Sequence, residues 1–468
     1  MKIVDDNLLK DAHSAYLIGI GGVGMSALAR VLKHRGFSVS GSDAKENRTT
    51  RALTDEGIPV RIGQDQAGFD DVDVFIYSSA IHEDNREFQI AKASGKKIYH
   101  RAQILASLLN QARTSVAVTG THGKTTTSSM ISFVLAELRK QPTCLVGGDV
   151  LNFGTNTVLG DPNLWISEVD ESDQTHELYA PNYAVITNLE EDHMDHYKDR
   201  EQLTGSFEKF LSNLRNPGLV VYSADDSVVE QLVRESGKPA MSFGLSGVAD
   251  LSAQNIEANG YGIAYDLYEM GFFATRVTLC VPGVHNVMNS LAAFGILLQL
   301  GLDLEDVKNV LARFRGARRR LEVKWHSDDL MIIDDYAHHP TEVRASLSAL
   351  SQLGKHLTVI FQPHRFSRTR YFFKQFARAF DDADELILTD IYGAGEANHE
   401  NVCVDAISRE ITAAGSVPVT VLPKKAIIEH LLQRSRPNEI IAFLGAGDIG
   451  EIADEFALRC KQFATARR

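Results

Sequence analysis

The chain has 468 residues, enough for two to four domains, and its 44% hydrophobic and 23% charged content is that of an ordinary globular protein. A net charge of −13 argues against a nucleic-acid partner, which needs a basic field, and no run approaches the roughly 18 apolar residues of a membrane span. The start, Met1-Lys2-Ile3-Val4-Asp5-Asp6, has no apolar signal core. The four cysteines (Cys144, Cys280, Cys403, Cys460) form no CxxC pair, so the expected compartment is the cytoplasm and a cysteine zinc site is not expected.

Strand-like apolar runs alternate with helix-period segments, the pattern of parallel α/β domains. Tyr16-Leu17-Ile18 leads into Gly19-Ile20-Gly21-Gly22-Val23-Gly24-Met25, with a helix expected over 26–34. This GxGxxG spacing lets backbone approach a pyrophosphate seated on the helix N-terminus. A strand over 37–41 ends in Ser42-Asp43, where an acidic residue usually meets a ribose hydroxyl. On spacing alone the loop suits NAD or the diphosphate of a UDP-sugar, and a tight turn without a ligand is the plainer alternative.

A seam near 107–113 precedes a second such unit. A β-branched strand over 115–118 runs into Thr119-Gly120-Thr121-His122-Gly123-Lys124-Thr125-Thr126-Thr127, and a helix is expected over 124–138. Backbone N–H groups of such a loop cradle phosphates, the lysine reaches the terminal phosphates, and the following hydroxyl binds Mg²⁺. The spacing GxxGKT is shorter than the common GxxxxGK[ST], but strand, loop and helix in succession outweigh a chance Gly-Lys-Thr turn. A strand over 164–167 ends in Glu168-Val169-Asp170-Glu171-Ser172-Asp173, and one over 183–187 ends in Asn188-Leu189-Glu190-Glu191-Asp192-His193-Met194-Asp195. One acidic cluster is usually a solvated loop; two at successive strand ends beside a phosphate loop point to metal and nucleotide.

Residues 249–281 alternate polar and apolar and are expected to form antiparallel strands, giving the central domain a mixed sheet. A helix over 304–314 leads to a second seam at 315–320, inside a basic cluster (313–320) that could hold a small phosphorylated ligand. Strands over 331–334, 357–361, 385–389, 417–422 and 440–444 then make a third α/β domain. The expected domains are 1–107, 108–317 and 318–468.

In order along nearly the whole chain, the motifs resemble those of the Mur ligase family. They include Gly19 to Met25, Ser78-Ser79-Ala80-Ile81, His100-Arg101-Ala102, the loop with His122, the two acidic strand ends, and Gly283-Val284-His285-Asn286-Val287-Met288-Asn289. They close with Asp334-Asp335-Tyr336-Ala337-His338-His339-Pro340-Thr341-Glu342, His364-Arg365-Phe366-Ser367-Arg368 and Gly445-Ala446-Gly447-Asp448-Ile449. The likeness is nearest to the branch that joins L-alanine to UDP-N-acetylmuramate, to which His122 is one of the pointers; a ligase of the same family adding a different amino acid or a peptide is the nearest rival. A folylpolyglutamate synthase has no separate N-terminal UDP domain. Outside the family the rivals are a dinucleotide-dependent oxidoreductase and a nucleotide sensor.

The resemblance implies an α/β enzyme of three domains. They are a Rossmann-like N-terminal domain for the UDP-sugar, a central P-loop domain for ATP and Mg²⁺, and a Rossmann-like C-terminal domain for the amino acid. It assigns Gly21, Gly22, Val23, Gly24, Ser42, Asp43, Ser78, Ser79, Ala80, His100 and Arg101 to the UDP-sugar. Gly120, Thr121, His122, Gly123, Lys124, Thr125 and Thr126 fall to ATP, with Asn188, His285, Asn286, Asn289 and Asp335. Thr125 and Glu168 are expected to hold one Mg²⁺ and His193 to hold or border a second. His285 and Asn286 could instead cap a helix starting near residue 287.

Lys124, His193, Arg319, His338, Arg365 and Arg368 are expected to serve catalysis. Guanidinium groups suit the carboxylate of alanine or an acyl phosphate, and His338 or His339 suits the amine proton; a surface histidine pair is the plainer alternative. Ala337 stands where some members carry glycine. Lys209 lies near the place of a carbamylated lysine in other members, a role not carried over here. Binding of three substrates by three domains implies closure. A monomer or weak homodimer is expected.

Overall fold

The computed structural model describes residues 8–63, 69–192, 197–399, 401–415, 417–434 and 436–466. The chain divides into two compact units. One runs up to Ser252 and takes in Glu269–Phe272 and Asn289–Leu311; the other comprises Ala253–Tyr268, Phe273–Met288 and the chain from Ala312 onward.

The first unit opens with a parallel sheet of β1 (Ser14–Ile18), β2 (Ser38–Asp43), β3 (Val60–Ile62), β4 (Val74–Tyr77) and β5 (Lys97–His100), in the order β3-β2-β1-β4-β5. The order reverses between β1 and β4. That is the crevice where open α/β sheets bind ligands, and the first glycine loop and residues 78–80 emerge on its two sides. The helix Val23–His34 begins three residues before the position expected from the sequence, with Gly22 as its extended N-cap residue. The helix therefore starts inside the glycine motif, so backbone N–H groups of that motif form its N-terminus.

The second sheet holds β6 (Thr114–Thr119), β7 (Pro142–Val150), β8 (Thr155–Val158), β9 (Asp161–Glu168), β10 (Tyr183–Ile186), β11 (Leu219–Ser223) and β12 (Ala240–Gly244), in the order β12-β11-β10-β6-β9-β7-β8. Its strands are parallel except for the β7–β8 pair, a hairpin the sequence pattern did not reveal. The helix Lys124–Glu137 is buried along nearly its whole length. It accommodates its serines through side-chain bonds to its own carbonyls, such as Ser129 Oγ to Thr125 O at 2.6 Å. One apolar cluster runs through both sheets, joining Leu17, Leu28 and Leu109 to Trp165, Ile186 and Phe207. The expected seam at 107–113 falls at the end of the helix Arg101–Gln111, within that cluster.

The antiparallel expectation for 249–281 corresponds to β13 (Leu251–Asn259), β14 (Gly262–Glu269) and β15 (Phe272–Leu279), successive neighbours joined by two-residue turns. The helix Leu304–Leu311 stops short of residue 314, and the chain turns to bury Phe314 completely.

The second unit carries β16 (Glu322–His326), β17 (Leu330–Asp335), β18 (His356–Phe361), β19 (Glu385–Leu388), β20 (Val419–Val421) and β21 (Glu439–Leu444), in the order β16-β17-β21-β18-β19-β20. All are parallel except β16, an edge strand not anticipated from sequence. Leu, Ile, Val and Phe side chains from both faces of these strands fill two apolar layers, so the strands are buried on both sides.

Candidate active site

β6 lies between β9 and β10, with Val118 level with Glu168 and Thr119 level with Ile186. The two acidic strand ends therefore flank the phosphate loop. Gly120 has φ +122°, and a Cβ there would meet Asn188 O at 2.8 Å as well as the Thr187 hydroxyl. The loop is pinned from the β10 side. Thr121 N donates to Asn188 O (3.0 Å) and His122 N to Asn188 Oδ1 (2.8 Å), while Asn188 Nδ2 donates to His122 O (3.0 Å). Thr187 Oγ1 donates to His122 O at 2.6 Å. Asn188, expected to line the nucleotide, thus spends its amide on the loop's backbone. Thr126 is buried in the first helical turn, and Asn289 sits against Gly123 and accepts from Thr127 Oγ1 at 3.3 Å.

Lys124 Nζ donates to Gly120 O (2.7 Å) and Thr121 O (3.1 Å) and pairs with Glu171 (Oε1 3.1 Å, Oε2 2.8 Å). Burial alone would lower the pKa of this ammonium, but Glu171, Asp170 and Glu168 outweigh it and raise it, so Lys124 is cationic. Burial pushes the Glu171 carboxyl up to about 7 against the pull of Lys124. Thr125 Oγ1 donates to Glu168 Oε1 at 3.1 Å, and Gly147 N donates to Glu168 Oε2 at 2.6 Å. The two residues assigned to a metal are therefore neighbours, and a hydroxyl beside a carboxylate is a donor set for a hard cation. His193 lies outside the described residues.

At the first loop, Gly21 N donates to Asp43 Oδ2 at 2.9 Å, and the N–H groups of Gly19 and Ile20 donate to Ser42 O. Ser42 departs from its sequence assignment. Its side chain is fully buried and its hydroxyl donates to Glu87, because alternate residues of β2 face opposite sides of the sheet. Arg101 lies over Gly24, its Cζ 3.0 Å from where a Cβ would stand, and its buried Nε has no hydrogen-bond partner among the described residues. A guanidinium is thus held beside a helix N-terminus, two positive features whose chemistry suits an anion. Ser79 Oγ meets His100 Nε2 (3.0 Å) and donates to Asp173 Oδ2 (2.8 Å), tying the loop after β4 to the acidic segment after β9. His100 Nδ1 accepts from Ala102 N and caps the helix Arg101–Gln111. Burial lowers the pKa of this imidazole.

In the second unit the expected residues gather at the carboxyl ends of β17 and β18. Asp335 accepts from Leu321 N (2.9 Å) and Ala337 N (2.6 Å), and burial raises its pKa to about 6; its carboxylate is committed to the turn. Arg319 donates to Gly447 O at 3.0 Å and Gly445 O at 2.5 Å and lies over the Tyr336 ring, so it braces the 445–449 turn. His339 is the N-cap of the helix Pro340–Ser351, in a capping box with Glu342. His338 Nδ1 faces Tyr336 O at 2.8 Å and Glu342 Oε2 at 3.3 Å, which puts the proton on Nδ1 and makes Nε2 the basic nitrogen. Its ring lies 5.7 Å from that of His364, which bonds Arg368 at 3.3 Å. Burial, with His338, Arg368, Arg365 and Arg319 around it, drives the His364 pKa down to about 3. Arg365 pairs with Glu396 at 3.6 Å and holds φ +65°, ψ 139°, a region that costs a non-glycine residue on the order of 1–3 kcal/mol. The cluster brings Arg365, Arg368 and two imidazoles to one strand edge, a chemistry that suits an oxyanion.

His285 and Asn286 lie in the first turn of the helix Val284–Gln299, which begins three residues before the expected start. His285 folds back against Gly283, and burial and Arg320 lower its pKa to about 4; Asn286 Nδ2 donates to Pro282 O at 2.7 Å. That bond ties Asn286 to the carbonyl two residues before its own helix, whereas the N-cap role weighed from the sequence would have its side-chain oxygen accept a backbone N–H. Sequence reasoning missed Glu171, Asp173 and His364 as partners; the first two stand inside the quoted acidic motif, and His364 opens its own.

A glycine loop at the crevice of one sheet, a phosphate loop with lysine and acidic strand ends on a second, and a cationic strand edge on a third define a nucleotide-dependent ligase of the α/β class. The chain belongs to the Mur ligase family. Residues 14–113 match the profile described as Mur ligase family, catalytic domain, residues 118–297 the Mur ligase middle domain, and residues 319–447 the Mur ligase, glutamate ligase domain. It is 39% identical to UDP-N-acetylmuramate–L-alanine ligase of Aquifex aeolicus, over 94% of this chain and 96% of the relative, and 39% identical to that of Gloeobacter violaceus, over 97% of each. The crystal structure of UDP-N-acetylmuramate-alanine ligase MurC from Thermotoga maritima superposes with a TM-score of 0.83 at 30% identity, over 96% of this chain and 99% of that one. A murein peptide ligase from Psychrobacter arcticus shares the fold, with a TM-score of 0.71 at 22% identity, over 95% of this chain and 98% of that one.

Proposed function

We propose that the chain joins L-alanine to the lactyl carboxylate of UDP-N-acetylmuramate, at the expense of ATP, in making peptidoglycan precursors in the cytoplasm. The observation that carries the chemistry is the phosphate loop with Lys124 inside it and Thr125 against Glu168. A carboxylate resists amines, so it first takes the γ-phosphoryl group of ATP, the β–γ anhydride bond breaking to leave ADP, and becomes an acyl phosphate. The amine of alanine then attacks, and phosphate leaves from the tetrahedral intermediate.

Phosphoryl transfer calls chiefly for positioning and charge neutralisation. Because the Thr121 and His122 N–H groups are spent on Asn188, the backbone N–H groups at Gly123 and the start of the helix Lys124–Glu137 cradle the phosphates, and Lys124 meets the charge that develops on the transferred group. Thr125 and Glu168 hold Mg²⁺, which when bound neutralises phosphate charge. Arg101 and the N-terminus of the helix Val23–His34 hold the diphosphate of the UDP-sugar. In the second unit, Arg365 and Arg368 bind the amino-acid carboxylate, His338 Nε2 accepts the amine proton, and Arg319 braces the turn beside them. Domains of 1–107, 108–317 and 318–468, and a monomer or weak homodimer, belong to the same reading.

The test is phosphate release with ATP and UDP-N-acetylmuramate across a panel of amino acids. Release strongest with L-alanine is expected. Release only with the tripeptide L-alanyl-γ-D-glutamyl-meso-diaminopimelate would make the chain a peptide ligase, and no release with any amine would sink the reading.

A further inference from the structure

The carboxylate buried beside the phosphate-loop lysine has no part in the chemistry above. Glu171 is 2% exposed, and its carboxylate takes one side of the Lys124 ammonium. The other two N–H groups go to Gly120 O and Thr121 O, so three acceptors fix the ammonium inside its own loop. Glu171 is itself fixed: its carbonyl accepts from Gln174 N at 3.0 Å and from the hydroxyl of buried Tyr197. Taking two charges out of water costs several kcal/mol per ion unless geometry and further hydrogen bonds compensate, and an apolar pair often does as well for stability. Stability alone therefore gives no reason for this pair, whereas a fixed register for the lysine does.

We propose that Glu171 is a positioning residue for phosphoryl transfer, holding the Lys124 ammonium at a set place in the loop and yielding it to phosphate oxygens when ATP binds. The inference rests on the reading of Lys124 as the residue that meets the phosphates. The exchange replaces one anion by another at an unchanged ammonium; no covalent bond is made or broken. Glu171 also places a negative charge near the phosphates, so it opposes ATP binding while it orders the lysine. Removing that charge should separate the two effects.

Glu171→Gln and Glu171→Asp, made in the full chain, are compared with the unaltered protein by steady-state kinetics, by calorimetric titration with ATP and Mg²⁺, and by thermal melting without ligand. In Glu171→Gln, kcat is expected to fall at least tenfold while KM for ATP stays within twofold or drops. In Glu171→Asp, which keeps the charge on a shorter arm, part of kcat returns. A Gln variant with kcat within twofold of the parent overturns the proposal, as does a loss in which kcat falls and KM rises together equally in both variants. If melting shows the Gln variant unfolded, the Asp variant decides: a reduced kcat at unchanged KM supports the role, and an unchanged kcat overturns it. A parent protein that binds no ATP sinks the reading of the loop instead.

Discussion

The chain uses strand, glycine loop and helix twice, and the two copies differ in where their cation comes from. At the first loop the positive group is Arg101, the first residue of another helix, laid over Gly24. At the second it is Lys124, the first residue of the loop's own helix, tucked between the loop carbonyls and Glu171. At the first loop the Ser42 carbonyl takes the Gly19 and Ile20 N–H groups and only side chains (Asp43, Asn47 and Thr50) stand around Gly21; at the second, both backbone and side chains of Thr187 and Asn188 crowd Gly120 and pin the loop. A loop that only anchors a diphosphate can borrow a cation from nearby. One that assists phosphoryl transfer needs its cation registered to the phosphates within fractions of an ångström.

Five substitutions would break or sharpen this contrast. Lys124→Ala should lower kcat by on the order of 10²–10³-fold or more, with UDP-N-acetylmuramate affinity unchanged in equilibrium binding; near-normal turnover would erase the distinction. Gly120→Ala combines a positive φ with contact against backbone, and should cost about 2–3 kcal/mol in denaturant unfolding. Gly24→Ala meets only a side chain that can swing aside, so its cost should stay under about 1 kcal/mol and appear as weaker UDP-sugar binding. Equal losses for the two glycines would show that the loops are closed alike.

Arg101→Gln should weaken UDP-N-acetylmuramate binding about tenfold, as expected for one charge-assisted contact, and leave ATP titrations untouched. The smallest effect is a pH dependence confined to the first loop. Burial lowers the pKa of His100, so its neutral form is the stable one in the fold. The unfolded chain then binds the extra proton first, and this stabilisation is complete above about pH 6.5 and is lost as pH falls toward the lowered native value. Protection factors across 97–111, which remove the intrinsic base-catalysed pH dependence of exchange, should fall a few-fold between pH 7.5 and 5.5. His100→Asn, which keeps the cap without a titrating ring, should remove the change, and a persistent change in that variant would clear His100 of the role.

Much of the fold was legible because its signals are local. β-branched runs, glycine loops and acidic strand ends marked β1, β6, β9, β10 and β17 to within a few residues. Where the reading slipped, the cause was equally local. The helix Val23–His34 starts inside a glycine motif that propensity treats as loop, and Asp335, Arg319 and Asn188 proved committed to turns and backbone where chemistry was expected. Short edge strands such as β8 and β16 carry too little periodicity to stand out.

The sequence by itself determined which residue types stand at which strand ends, and that a glycine loop follows the first strand of each of two sheets, since both follow from local period and spacing. Only the tertiary structure decided that β6 lies between β9 and β10, that Glu171 reaches Lys124, that Asp173 reaches Ser79, and that Arg101 lies over Gly24. These are lateral placements fixed by strand order and by cores built from residues far apart in the chain. No local pattern encodes them, because the free energy that selects them is gained only once distant apolar faces have come together.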